Sequence, residues 1–278
     1  MSSTHPALAD RALLPDLGRR TLVMGILNVT PDSFSDGGLF APLEAAVAHA
    51  EAMAREGADI IDVGGESTRP GHVAVDAADE IERVVPIIAA LSPRIGVPIS
   101  IDTYKAATAA AALRAGAAIV NDVWGLQREP EIARIAAEFG APVVAMHNRD
   151  TIDAGLDIVD DMKRFFAHSI AIARQAGIAD RDIILDPGIG FGKSPAQNLE
   201  ALRRLGELTV LGHPILVGTS RKSFIGRILD KPPSERVNGT IASNVAAIIA
   251  GAAIIRVHDV APHVEAARVT DAILGKNP

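Results

Sequence analysis

The stretch AIIRVHDV, residues 253–260, starts as an ordinary buried strand and ends on two ionisable side chains. Apolar residues run up to Ile255, and Arg256 and His258 then follow two positions apart, which puts both on one face of an extended chain. A strand that is apolar on both faces belongs in a covered parallel sheet, so its polar end is the part left to meet something else. Seven earlier runs have the same form: LVMGILNV (22–29), DIIDVGG (59–65), PISID (98–102), AAIVNDV (117–123), PVVAMH (142–147), IILDPG (183–188) and PILVGTS (214–220). Ala-rich amphipathic segments such as 42–56, 76–91, 105–115 and 158–176 separate them, and Gly or Pro often marks the return, as in EGADI and AEFGAPVV. Eight such repeats predict an α/β fold, a single (β/α)8 TIM barrel over residues 21–278 behind a short N-terminal extension, residues 1–20. A doubly wound open sheet is the alternative.

The composition narrows the partners. Lys and Arg number 27 against 34 Asp and Glu, a net charge of −7, which argues against nucleic acid and anionic membranes. An anionic ligand must then be held by a local cluster of cations. The absence of cysteine excludes disulfides, thiolate catalysis and Cys-ligated metals, and fits a reducing cytoplasm. Residues 1–20 lack the apolar core of a signal peptide, and no run of about eighteen apolar residues is long enough for a membrane span. A soluble, cytoplasmic protein is the expectation.

Polar residues gather where the runs end. Asn28, Asp62, Asp102, Asn121, His147, Asp186, Ser220 and Arg256 stand at or near the C-terminal ends, whereas the starts are Leu, Ile, Ala or Pro. One Asp or Asn alone is as readily a helix cap; eight together mark the mouth where barrels of this kind carry their active sites. SRKSFIG (220–226) follows the seventh run and leads into a short helix, the usual phosphate site of such barrels. Arg221 and Lys222 add positive charge there, and with Arg256 and His258 they predict a phosphate or diphosphate ligand. LDPGIGFGKS (185–194) comes close to a nucleotide-binding P-loop, but position 187 is Pro where that pattern needs Gly, so it is read as a mouth loop with Asp186 as its useful group. NVTPDSFSDGG (28–38) and GGESTRPG (64–71) have the composition of loops that order around a substrate. The other histidines show no metal spacing, and His147 has no evident partner in the sequence.

Taken together, GILNVTPDSFSDGG, DVGGESTRPG, SIDT, IVNDV, LDPGIGFGK, GTSRKSFIG and IIRVHDV resemble the dihydropteroate synthase family, in its order and spacing, over residues 22–275. The resemblance implies a barrel that condenses 6-hydroxymethyl-7,8-dihydropterin diphosphate with 4-aminobenzoate in folate synthesis, a target of sulfonamides. It implies a pterin pocket of Asp102, Asn121 and Asp186 with Met146 and Phe191 as walls, since carboxylates accept from the pterin N–H groups while Asn offers both a donor and an acceptor. It assigns the diphosphate to Asn28, Thr68, Arg256 and His258, with a magnesium ion that Asn28 helps to coordinate. Phe34, Thr68, Pro70, Lys222 and Ser223 would shape the 4-aminobenzoate pocket, with Lys222 also reaching the pterin. Asp36 would support a cationic pterin when its loop closes, and Lys222, Arg256 and His258 complete the catalytic set. A homodimer is also implied. The segments WGLQREP after Val123 and NRDTIDAGLD after His147 depart from the family pattern. A pterin-binding methyltransferase, or a catalytically silent pterin-binding paralogue, is the competing function.

Overall fold

The computed structural model describes residues 13–29, 41–66 and 75–276. The chain runs β1 (Leu22–Asn28), α1 (Ala41–Arg55), β2 (Ile60–Gly64), α2 (Ala77–Leu91), β3 (Ile99–Asp102), α3 (Ala106–Ala115), β4 (Ile119–Asp122), α4 (Glu131–Phe139), β5 (Val143–Met146), α5 (Ile158–Ala176), β6 (Ile183–Asp186), α6 (Pro195–Arg203), β7 (Leu216–Val217), α7 (Ser223–Leu229), α8 (Val237–Ile249), β8 (Ile254–Val257) and α9 (Val260–Ile273). All eight expected runs are strands, and every strand pairing is parallel, in the order β6-β5-β4-β3-β2-β1-β8-β7. A bridge between Leu185 and Ile215 brings β6 against β7 and closes the circle, so the open-sheet alternative is set aside. Among the described residues, no helix is long and apolar enough to cross a membrane.

Helix ends follow local chemistry. Asp76 and Asp157 cap α2 and α5 by accepting backbone N–H bonds, and Ser194 with Gln197 forms a reciprocal capping box at α6. Gly116, Gly140 and Gly177 end α3, α4 and α5 in the left-handed region, which turns the chain back towards the next strand.

Two apolar clusters hold the barrel. The outer one packs the strands against the helices. The inner one consists of Leu22, Met24, Ile60, Ile119, Val144, Ile184, Leu216 and Ile254, with Leu13, Leu14 and Leu17 packed against it. Residues 13–20 therefore belong to the barrel's own packing, although the sequence assigned them to an extension. Arg20 fastens this segment, its Nη2 lying 2.6 Å from Asp59 Oδ1. Strand alternation then places the chemistry. Two residues beyond Ile60, Ile119, Val144, Ile184 and Ile254 stand Asp62, Asn121, Met146, Asp186 and Arg256, on the same inward face but at the mouth.

Candidate active site

Arg256 organises one side of the mouth. From β8 it reaches across β1, its Nε donating to Asp62 Oδ2 on β2 at 2.6 Å and its Nη2 donating to Asp102 Oδ2 on β3 at 2.6 Å. Asn121 Nδ2 donates to the same Asp62 oxygen at 3.1 Å. Pairing of Gly64 with Asp102, and of Asp102 with Asn121, puts these side chains side by side. The second oxygens, Asp62 Oδ1 and Asp102 Oδ1, are buried and have no protein partner. Buried acceptors are seldom left so, and here they point to a ligand with N–H groups. Burial lifts the Asp102 carboxyl well above its ordinary range, while the Arg256 charge opposes the rise.

Asp186 stands on β6 beside Met146, its register partner on β5. Its Oδ1 accepts the Gly188 N–H at 2.7 Å, and burial raises its pKa against the pull of that bond and of Lys222 and Arg256. Only glycine fits at 188: its φ is +63°, and a Cβ would meet His147 O at 2.0 Å. The loop continues to Phe191, whose ring lies under Lys222 Nζ at 4.1 Å to its centroid. Burial, and then the Arg256 charge, pull the Lys222 pKa down to about 8, with Asp186 and Asp102 working the other way.

Lys222 immediately precedes α7, and Ser223 begins that helix. The turn before it contains Arg221 at φ +58°, held by Arg236 Nη1 donating to Arg221 O at 2.9 Å and by Arg221 N–H donating to Thr240 Oγ1 at 3.2 Å. The Arg221 side chain, expected to add charge for an anion, is instead paired with Asp259 at 2.7 and 3.2 Å. His258 lies just beyond β8. Its backbone N–H donates to Ser220 Oγ at 3.1 Å, and its ring Nδ1 lies 2.9 Å from the same hydroxyl oxygen, which holds the imidazole in place. Burial and the Arg221 and Arg256 charges push its pKa down to about 3, so the ring is a neutral donor at pH 7. Asn28 ends β1 facing Gly64, where a Cβ would come within 3.8 Å of Asn28 Oδ1.

The barrel thus brings Asn28, Asp102, Asn121, Met146, Asp186, Phe191, Lys222, Ser223, Arg256 and His258 to its C-terminal end. Phe34, Asp36, Thr68 and Pro70 lie outside the described residues. Sequence reading gave no role to Asp62, although its place in an otherwise apolar run was the available signal, nor to Ser220 beyond its position. It also left His147 without a partner and gave Lys193 no role. Both are buried, and Lys193 Nζ turns inward to His147 Nδ1 at 2.8 Å, so the P-loop reading of this segment fails in space as well as in sequence. Lys105 is a further buried cation, bonded to Glu66 and to Glu80 Oε2, the latter at 2.8 Å, at the root of the segment after β2.

The pterin binding enzyme family profile matches residues 24–258. A dihydropteroate synthase of Clostridium beijerinckii is 50% identical over 260 residues, covering 93% of this chain and 96% of the relative. This chain belongs to the dihydropteroate synthase family. Its fold agrees: a crystal structure of dihydropteroate synthase from Clostridium difficile in the presence of pteroic acid superposes with a TM-score of 0.91 at 53% identity, covering 93% of this chain and 98% of that one. The dihydropteroate synthase of Yersinia pestis in complex with a sulfonamide drug gives 0.86 at 46% identity, over 94% and 96% of the two chains. The mouth described above lies at the C-terminal ends of the strands, where α/β barrels carry their active sites.

Proposed function

We propose that this chain, as a dihydropteroate synthase, joins 6-hydroxymethyl-7,8-dihydropterin diphosphate to 4-aminobenzoate through the residues at this mouth. The observation that carries the assignment is the pair of partnerless buried oxygens on Asp62 and Asp102, set beside Asn121. Carboxylate oxygens that only accept are matched by the amino and ring N–H groups of a pterin edge, and a buried oxygen of this kind otherwise lacks a reason to stay unpartnered. Met146 and Phe191 supply the flat apolar walls.

The diphosphate falls to Arg256 and His258, whose ring is held by Ser220. Breaking the bond between the pterin methylene carbon and the diphosphate oxygen leaves positive charge on an electron-rich ring and negative charge on the leaving group. Cations at the leaving group therefore lower the barrier. The amine of 4-aminobenzoate then forms the new C–N bond and releases a proton, and it is neutral at pH 7, so no strong base is required. Lys222, over Phe191, lies between the two substrate pockets, and Phe34, Thr68, Pro70 and Ser223 complete the 4-aminobenzoate side, where a sulfonamide competes.

Among the described residues no group of three or more His, Cys, Asp or Glu could hold a metal. The donor available is the Asn28 carboxamide oxygen, and one neutral oxygen suits magnesium when phosphate oxygens and water fill the other positions. Bound there with the substrate, magnesium would supply counter-charge to the departing diphosphate. Asp36 is assigned to electrostatic support of the cationic pterin. Asp36→Asn should then lower kcat at least roughly tenfold while changing pterin diphosphate affinity less than about threefold; equal losses in both would remove this role.

Exposed Ile249 on α8 with Val269 and Ile273 on the packed α9 support a homodimer through this face, which sedimentation at micromolar protein would detect or exclude. A cytoplasmic setting is proposed from the lack of cysteine. The deciding assay incubates the protein with magnesium and both substrates and measures dihydropteroate and diphosphate. Equal amounts of both, lost in Lys222→Ala, are expected. Pterin binding without either product would overturn the synthase reading.

A further inference from the structure

Asp186 and Phe191 both stand on the loop after β6, yet nothing in the chemistry above explains the two buried residues beneath it, Lys193 and His147. Lys193 Nζ lies 2.9 Å from Gly188 O, 2.9 Å from Phe191 O and 2.8 Å from His147 Nδ1, with His147 O further off at 3.3 Å. Carbonyl oxygens only accept, so the three short contacts match the three protons of an ammonium, and His147 Nδ1 is the bare ring nitrogen. The ring proton is then on Nε2, donating to Asp161 Oδ2 at 3.1 Å, an oxygen that also accepts from Arg149 Nη1 at 2.6 Å. His147 is further fixed edge-on against Phe165, 4.9 Å between ring centres.

We propose that Lys193 is a positioning residue for the pterin pocket: its ammonium gathers the carbonyls of Gly188 and Phe191 onto one point against His147, and so sets both the Asp186 carboxylate and the Phe191 wall. The link to Asp186 is the Gly188 N–H, and the link to Lys222 is the Phe191 ring beneath its ammonium. The loop is shaped for this inward turn. Gly188, Gly190 and Gly192 have φ of +63°, +89° and +54°, and a Cβ at 192 would lie 2.6 Å from Arg149 O. The loops after β5 and β6 therefore pack backbone to backbone, with Lys193 as the tie between them. Burial pulls the Lys193 pKa down to about 7, Lys222 and Arg149 pushing the same way and Asp186 and Asp161 opposing. An apolar side chain of like length would fill the space without that penalty, which is consistent with a charge retained for what it orients.

The proposal rests on the pterin reading of the site. Condensation by the wild-type protein is the control for that reading, and binding of 6-hydroxymethylpterin, followed by calorimetry, is the readout for Lys193. Lys193→Met should weaken this pterin roughly ten- to a hundredfold, as expected when a pocket wall and a carboxylate are displaced. His147→Asn keeps an acceptor for Lys193 and should bind within about threefold of wild type, whereas His147→Leu should match Lys193→Met. Packing alone predicts the reverse order, because Leu fills an apolar slot better than Asn. Wild-type affinity in Lys193→Met, or His147→Leu binding better than His147→Asn, overturns the proposal. Should Lys193→Met fail to fold, the two His147 variants decide it.

Discussion

Asp186→Asn should leave a stable barrel that no longer holds pterin. The carboxylate sits at the end of β6, where Oδ1 takes the Gly188 N–H at 2.7 Å and the other oxygen remains for the ligand. Asn keeps the size and the Oδ1 acceptor but turns an NH2 group towards the N–H groups of the pterin, so donor meets donor. Hydrogen bonds to a charged acceptor contribute about 1.5–3 kcal/mol each. Losing one or two of them predicts a Kd for 6-hydroxymethylpterin raised by roughly one to four orders of magnitude. Stability should move the other way. Burial raises the Asp186 pKa above its unfolded value, so its favourable contribution is complete at low pH and fades as pH rises through the folded pKa. Asn does not titrate. The Tm of Asp186→Asn should therefore equal or exceed that of wild type, with the gap widening from pH 4 to pH 8. Unchanged pterin affinity would sink the assignment, and a large fall in Tm would recast Asp186 as structural.

Arg256→Met should damage both folding and turnover. Arg256 is the shared partner of Asp62 and Asp102, both almost fully buried. Removing one member of such a group leaves uncompensated charge and costs about 3–5 kcal/mol. The sign of the pH dependence follows from Asp102, already raised by burial and lowered only by Arg256 among its main influences. Without the guanidinium its folded pKa rises further, so the folded variant binds more protons than the unfolded chain and loses stability as pH increases. Urea unfolding should show the deficit of Arg256→Met largest near pH 8 and smaller near pH 5. A second change, Asp62→Asn, should restore part of it. Turnover should fall roughly two to three orders of magnitude with the loss of a donor to the leaving diphosphate. A deficit independent of pH, or near-normal turnover, would contradict the coupling described here.

Much of the site was legible because a strand has a period of two. Once Ile254 is placed in the inner layer, Arg256 must share its face at the mouth, and the same count carries Ile119 to Asn121 and Ile184 to Asp186. The apolar runs gave the strands, and Gly after a helix gave the returns. Arg221 shows the limit of that logic. Its neighbours in sequence suggested an anion site, but its φ of +58° turns the side chain away to Asp259, 38 residues on. Asp62 shows the converse, since nothing local marks it as the residue that receives both Arg256 and Asn121.

The sequence by itself determined the eight-fold βα repeat, the end of the barrel that carries polar residues and, through its motifs, the family. Those features depend on local periodicity and turn chemistry, which act over a few residues. Only the tertiary structure decided the partners: Arg256 with two carboxylates 154 and 194 residues away, Ser220 holding the ring of His258, and Lys193 turned inward onto His147. Such pairings follow from closure of the sheet, which places β8 two strands from β2 and three from β3. The hydrogen-bonding state of a buried charge depends on which neighbours that closure supplies.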